Sequence, residues 1–299
     1  MRQVAAGAEA GRIPDWLRSG LPDAYSLGAV ARKVSDLGLN TICFEARCPN
    51  KRQCFQEGAV TFLVLGRNCT RSCGFCNVSP ASPEPPDADE PRRLAAAVSG
   101  LALDYVIITS VTRDDLADGG AAHYEACVRA LRGGAGPLVI EVLVPDFGGD
   151  AADVGRVAAC PIDVFAHNVE TIERLYGKVR DRACYGRSLA VLRQARGSSD
   201  QLIVKSGLML GMGETLEEVR TTLGHLRDAG CDIVTVGQYM RPSKAHLPVG
   251  EYVVPAAFDK VAGWARKLGM VAVCGPRVRS SFGAERAFRE AKLRRHTCA

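Results

Sequence analysis

No apolar run in this chain approaches the roughly 20 residues that a membrane-crossing helix needs. Even Thr61–Leu65 and Tyr105–Thr109 have only the length of strands, which excludes a transmembrane anchor. The first 20 residues carry three arginines together with Glu9 and Asp15, and lack both an apolar signal core and a long Arg/Ser-rich amphipath. A cytoplasmic protein is the expectation. No linker or internal repeat divides the chain beyond a recurring strand–helix rhythm, and no GxGxxG follows the first strand, which argues against a doubly wound nucleotide fold. Histidine is missing until His123, so the N-terminal third holds none of the His ligands that closed zinc sites commonly use. Charge is also unremarkable: the net value is +5 with 24% charged residues, too mild and dispersed to indicate a nucleic-acid surface. The densest basic stretch, Arg286–His296, reads as the solvated face of a terminal helix.

Cysteine is abundant instead. Of twelve cysteines, six fall between Cys43 and Cys76, in two triplets: Cys43-x4-Cys48-x5-Cys54 and Cys69-x3-Cys73-x2-Cys76. Soft thiolates at such spacings select iron-sulfur clusters or zinc over hard cations. Three thiolates wrap three corners of a cubane and leave the fourth iron open to a small chelating ligand; Phe75 would cover such a cluster with a ring. Zinc is the weaker reading, because no fourth Cys or His closes either set. Disulfides are weaker still in a chain of 299 residues with no secretory leader. Cys127, Cys160, Cys184, Cys231, Cys274 and Cys298 show no ligand spacing and read mostly as small buried hydrophobes.

The remainder reads as scaffold. A helix with apolar positions Leu27, Val30, Val34 and Leu37 leads into Cys43, and from Thr61 onward strands alternate with amphipathic segments. The strands are expected near Thr61–Leu65, Tyr105–Ser110, Leu138–Val144, Val164–His167, Leu202–Met209, Ile233–Val236 and Met270–Cys274. Repeated βα units imply a parallel sheet, closed or partly closed into a TIM-type barrel, whose chemistry gathers at the strand carboxyl ends. Cys69, Arg113–Gly120, Asn168 and Glu170, Gly211–Glu214, and Gln238 and Tyr239 all lie there. Ser79–Pro91, with five prolines and four acidic residues, is an extended surface connection. The division expected is an N-terminal extension over 1–60, a barrel over 61–275 and a C-terminal tail over 276–299. His167, at a strand end, either touches substrate or is a satisfied hydrogen-bonding residue, and Glu214–Thr215 either serves a ligand or starts the next helix. Arg241, Lys244 and His246 form a candidate basic lip for an acidic carrier.

CxxxCxxC at the end of an apolar strand resembles the signature of the radical S-adenosylmethionine (SAM) enzymes, and FEARCPNKRQC resembles the auxiliary-cluster motif of the lipoyl synthases. TSVTRDDLADGG, VFAHNVET, KSGLMLGMGET, VGQYMRPSKAHLPV and RSSF extend the likeness over roughly Asp36 to Ser281. The resemblance implies a partial (β/α)6 barrel with an auxiliary cluster at the C-terminal tail, two 4Fe-4S clusters and SAM. It implies that Cys69, Cys73 and Cys76 hold the SAM cluster, and that Cys43, Cys48, Cys54 and Ser281 hold the second one as the sulfur source. Phe75, Asp118, Gly119, Gly120, Asn168, Glu170, Lys205, Gly211, Glu214, Gln238 and Arg279 are the implied cofactor-binding residues. The Cys43, Cys48 and Cys54 triplet, on local chemistry alone, also suits an electron relay or a structural staple. The activity implied is a sulfurtransferase reaction on octanoyl-lysine of lipoyl carrier domains, namely 2-oxoacid dehydrogenase acyltransferase subunits and the glycine cleavage H protein. Flavodoxin or ferredoxin would supply electrons to a monomeric enzyme that binds neither nucleic acid nor membrane. Phe282 departs from the family's usual Tyr.

Overall fold

The computed structural model describes residues 13–18, 25–56, 59–134 and 136–298. The first twelve residues of the N-terminal extension, on which the expectation about a leader rests, lie outside them, as do the side chains of 25–29, Leu27 among them.

All seven expected strands form, with no end displaced by more than two residues: β2 (Val60–Val64), β3 (Tyr105–Ser110), β4 (Val139–Leu143), β5 (Val164–Ala166), β6 (Ile203–Leu210), β7 (Ile233–Gln238) and β8 (Val271–Gly275). They are parallel and pair in chain order, preceded by a two-residue strand, β1 (Asn40–Thr41), antiparallel to β2. Because β8 does not pair with β1, the sheet is an open barrel of six β/α units and a seventh strand. Its apolar strands are β-branched and buried on both faces, the pattern of a parallel sheet covered by helices. The helix expected after Glu214 runs over Leu216–Asp228 and begins with a capping box between Thr215 and Glu218. Thr215 is therefore a cap.

Alternation along the strands divides the core in two. Val106, Ile108, Ile140, Val142, Phe165, Val204, Val234 and Val236 face outward to the helices. Tyr105, Ile107, Val164, Ile203, Ile233 and Val271 face inward and meet Ala284, Ala287, Phe288 and Ala291. Those four lie at i, i+3, i+4 and i+7 of the helix Ala284–Cys298, one face of a 3.6-residue repeat. The sequence expectation of a solvated terminal helix is corrected accordingly: its basic residues occupy the outer face, while the inner face fills the open barrel. Arg295 also ties the helix to Asp232 through bonds of 2.7 to 3.0 Å.

Among the described residues no helix is long and apolar enough to cross a membrane.

Candidate functional site

The segment Gly66–Ser79 leaves β2 at a sharp turn, with Leu65 at φ 65° and Gly66 at φ 89°. A leucine tolerates that left-handed conformation only where neighbours fix it. Buried Glu90 accepts from the Leu65 N–H at 2.9 Å and Arg113 Nη1 donates to its carbonyl at 3.1 Å.

Beyond the turn, Cys69, Cys73 and Cys76 lie on a loop stapled to the segments that follow β3, β5 and β7. Thr70 N–H donates to Thr112 O, Gly74 N–H to Val179 O, and Leu247 N–H to Gly74 O, at 2.9 to 3.1 Å. The dominant tether is Arg71, between the first two cysteines. Its guanidinium makes bidentate bonds of 2.7 and 2.9 Å to Asp114 and of 2.8 and 3.1 Å to Asp146. Burial opposes both charges, yet the pair prevails: Arg71's hydrogen bonds and charge hold the Asp146 carboxyl at about 2.

Burial pushes the Cys76 thiol up to about 12, with Cys73 and Cys69 adding to the rise, and raises Cys73, again with a contribution from Cys69. Cys73 and Cys76, both raised and each in part by the neighbouring Cys69, need a cation to become thiolates at neutral pH. The described residues form no cage of the size one ion imposes; a cubane holds its cysteines at separate iron corners. Among the described residues three buried Arg nitrogens, Arg52 Nη1, Arg93 Nε and Arg180 Nε, are left without partners. Three soft thiols on one short loop are the donor set that an iron-sulfur cluster takes, rather than that of a hard cation.

At the end of β5, Asn168 Nδ2 donates to Glu170 Oε1 at 3.1 Å and Asn168 Oδ1 accepts from Ser280 Oγ at 3.2 Å. Burial raises the Glu170 carboxyl, while nearby Arg180 and Asn168 lower it. Arg180 stands beside this pair, its Nη1 bonded to Asn168 O, Tyr176 Oη and Ser188 Oγ at 2.8 to 3.3 Å. His167 is the satisfied residue of its two readings: Nδ1 donates to Val144 O at 2.9 Å and Nε2 accepts from Ser188 Oγ at 2.8 Å. Burial, then the Arg180 charge, lowers it to about 4.

Several expected cofactor residues are committed elsewhere. Lys205 is 1% exposed in the barrel interior, its Nζ 2.7 Å from Glu141 Oε1, and Tyr105 Oη donates to the other oxygen at 2.5 Å. Lys205 is the third residue of β6 and points into the barrel interior. Gln238, wholly buried, donates to Tyr239 O and Glu251 O and accepts from Val253 N–H. Glu214 accepts from the Gly211 and Met212 N–H groups of its own turn, at 2.5 and 3.0 Å. Asp118 accepts from Gly120 and Ala122 N–H at 2.9 and 2.8 Å, opening the helix Ala121–Arg132. Gly119 and Gly120 have φ of 58° and 92°, and a Cβ on Gly120 would strike Leu65 Cδ1; Gly211, at φ 100°, is similarly crowded by Gln238. Phe75 is half-buried against the core.

Of the basic lip, Arg241 donates to the carbonyls of His246 and Lys244, and His246 Nε2 lies 2.9 Å from Cys76 O. The lip folds down on the cluster loop.

On the far side of the mouth, Cys43 and Cys48 are close enough for Cys48 to add to the burial that lifts Cys43 to about 11. The C-terminal tail reaches this segment: Asn50 Nδ2 donates to Arg277 O at 2.5 Å. Burial lowers the Arg279 guanidinium, opposed by the charge of Cys48. The tail residues Arg277–Ser280 therefore bridge the two halves of the mouth, from Asn50 to Asn168. The remaining cysteines follow the sequence reading at Cys127 and Cys231, which are buried, whereas Cys184 is exposed.

Sequence reasoning missed Arg71, Asp146, Arg180 and Ser280. The one local signal was a charged residue, Arg71, between two ligand cysteines.

The sequence profile of the Radical SAM superfamily matches residues 63–237. Among similar proteins, the lipoyl synthase of Nitratidesulfovibrio vulgaris is 49% identical over 278 residues, covering 93% of both chains. That of Methylococcus capsulatus is 50% identical and covers 92% of this chain and 86% of its own; that of Trichlorobacter lovleyi is 51% identical and covers 91% and 97%. The fold is shared with the hydrogenase maturase HydG (TM-score 0.57, 14% identity, 79% of this chain and 54% of that one). Methylornithine synthase shares it too, with TM-score 0.55, 15% identity, and 71% and 63% covered.

Proposed function

The chain belongs to the lipoyl synthases, a branch of the radical SAM superfamily, and we propose that it inserts two sulfur atoms, at C6 and C8, into an octanoyl chain carried on a lysine. The observation that carries this reading is the shared mouth: two thiol triplets joined by one tail, from Asn50–Arg277 to Ser280–Asn168. Cys69, Cys73 and Cys76 would hold the SAM cluster; Cys43, Cys48, Cys54 and Ser281 would hold an auxiliary 4Fe-4S cluster. When bound, the first supplies the electron that cleaves SAM and frees a carbon radical able to take hydrogen from unactivated carbon, and the second supplies sulfur.

The protein's own part is placement. Arg71 and its two carboxylates fix the loop that presents three thiols, so loading reorganises little. Asn168 and Glu170 offer polar atoms at fixed spacing for the ribose hydroxyls of SAM, and Arg180 behind them supplies a buried positive charge. In this reading Gly119 and Gly120 let the backbone approach the methionyl group, the Asp118 carboxylate serves its ammonium while also capping the helix Ala121–Arg132, and Phe75 shields the cluster. Gly211, Glu214 and Gln238 shape the adenine side of the mouth as scaffold. Arg279 lies near Cys48, where its charge offsets that of thiolates. A serine hydroxyl is a poor iron ligand beside thiolate, and a labile bond at Ser281 suits a cluster that gives up sulfur.

The substrates in this reading are octanoylated lipoyl carrier domains of 2-oxoacid dehydrogenase acyltransferase subunits and the glycine cleavage H protein. Flavodoxin or ferredoxin delivers electrons, and the enzyme acts as a cytoplasmic monomeric sulfurtransferase. The test is Ser281→Ala in reconstituted enzyme: deoxyadenosine still forms from SAM while lipoyl product falls at least about tenfold, within the 10- to 100-fold range typical of damaged metal sites. Loss of both activities together would assign the serine a folding role and remove the division of labour.

A further inference from the structure

Whether the tail can enter the barrel mouth depends on one glycine. A Cβ on Gly237, in β7, would lie 2.9 Å from the carbonyl carbon of Val278, closer still to its oxygen, and 3.4 Å from Arg279 Nη1. Separations under 3.0 Å are ones that real Cβ atoms essentially never show. The obstructing atoms belong to backbone, so no rotamer change relieves them. Gly237 is not among the positive-φ residues; its strand conformation would accept alanine, and what requires glycine is the tail.

Four bonds hold the tail against that surface, the first from the Gln238 N–H to Pro276 O at 3.3 Å. Arg279 Nη1 donates to Gln238 O at 3.1 Å, Ser280 Oγ donates to Asn168 Oδ1 at 3.2 Å, and Asn50 Nδ2 donates to Arg277 O from the opposite side. Asn50 is 1% exposed, between Cys48 and Cys54, and its Oδ1 has no partner. Its one side-chain bond goes to the tail. Residues 277–280 are thus sandwiched between the N-terminal cysteine segment and β7.

We propose that Gly237 and Asn50 are positioning residues for Ser281, seating the tail so that the serine hydroxyl closes the Cys43, Cys48, Cys54 site. This rests on the two-cluster reading above. Gly237→Ala forces the Val278 carbonyl away from β7 and carries the following residues with it, which opens the fourth ligand position of the auxiliary cluster and leaves the Cys69, Cys73, Cys76 loop in place.

The test is anaerobic release of iron to a chelator from fully reconstituted enzyme, followed optically. The unsubstituted protein releases iron in two phases of about equal size, one per cluster, and a Cys48→Ala protein identifies the auxiliary phase. Gly237→Ala speeds that phase by about 10- to 100-fold, as loss of a supporting contact does at metal sites, and leaves the other unchanged. Asn50→Leu, which removes the donor together with the unpartnered acceptor, does the same if Gly237→Ala folds poorly. Gly263→Ala, in the helix Pro255–Lys267 with open space around it, alters neither phase. Equal acceleration of both phases, or no change in either, overturns the proposal while two clusters are still seen. A single phase carrying half the iron in the unsubstituted protein overturns the two-cluster reading and the proposal with it.

Discussion

Replacing Arg71 with methionine separates the cluster loop from its scaffold without touching a cysteine. The substitution keeps most of the apolar stem and removes a guanidinium that makes four bonds to Asp114 and Asp146. Asp114 is partly exposed and can rehydrate; the Asp146 side chain is 0% exposed. Asp146 keeps only Arg187 Nη1 at 3.3 Å and the Gly148 N–H at 3.2 Å. Breaking a buried charge pair from one side costs about 3–5 kcal/mol. If the loop bears that cost by opening, its open population rises about 150- to 4,000-fold, at 1.4 kcal/mol per tenfold. Hydrogen exchange reads this directly: the amides of Thr70, Gly74 and Cys76, bonded to Thr112, Val179 and Cys73, lose protection by two to three orders of magnitude, while amides in β6 keep theirs. Arg71→Met with Asp146→Leu recovers much of the protection, because no uncompensated carboxylate then remains. Protection in Arg71→Met within about threefold of the original, well under the 1.4 kcal/mol of a tenfold change, would refute the claim that this pair holds the loop.

Two further outcomes concern groups buried in the barrel. Lys205→Met leaves Glu141 buried without its countercharge and costs about 3–5 kcal/mol, lowering Tm by roughly 6–10 °C at about 2 °C per kcal/mol. Replacing the cluster together (Tyr105→Phe, Glu141→Leu, Lys205→Met) restores most of this, and a single replacement costing under about 1 kcal/mol would contradict the geometry. His167 is held at about 4 against an ordinary 6.5. With the folded value depressed, its stabilisation is complete above pH 6.5 and is lost as pH falls toward 4, to a limit of about 3 kcal/mol at 1.36 kcal/mol per unit. Thermal melts of His167→Gln between pH 7 and 5 should be flatter than those of the parent; parallel curves would count against it.

The strands were legible because apolar β-branched runs announce themselves locally, and β2 through β8 follow the expected ranges closely. The cysteine triplets stand out because each is contained within one short stretch of sequence. Other features depend on residues far apart in sequence. Glu141, in the apolar run Val139–Leu143, points into the barrel rather than to solvent, and nothing nearby reveals that Lys205 waits across from it. The terminal helix looks solvated by its arginines, yet Ala284, Ala287, Phe288 and Ala291 acquire a partner once the sheet stays open. Arg71 finds Asp146 75 residues away, and Ser280 finds Asn168 112 residues away. Spacing alone could not pair them.

The central claim is that radical generation and sulfur supply occupy two sites of one mouth. The most direct measurement reconstitutes the enzyme anaerobically with iron and a heavy sulfur isotope as sulfide, removes the excess, and adds reductant, SAM and an octanoyl-lysine peptide. Mass spectrometry then weighs nucleoside and peptide. Deoxyadenosine together with a peptide that has gained two heavy sulfurs is the predicted result. Deoxyadenosine with an unmodified peptide, or a product carrying unlabelled sulfur, would contradict it.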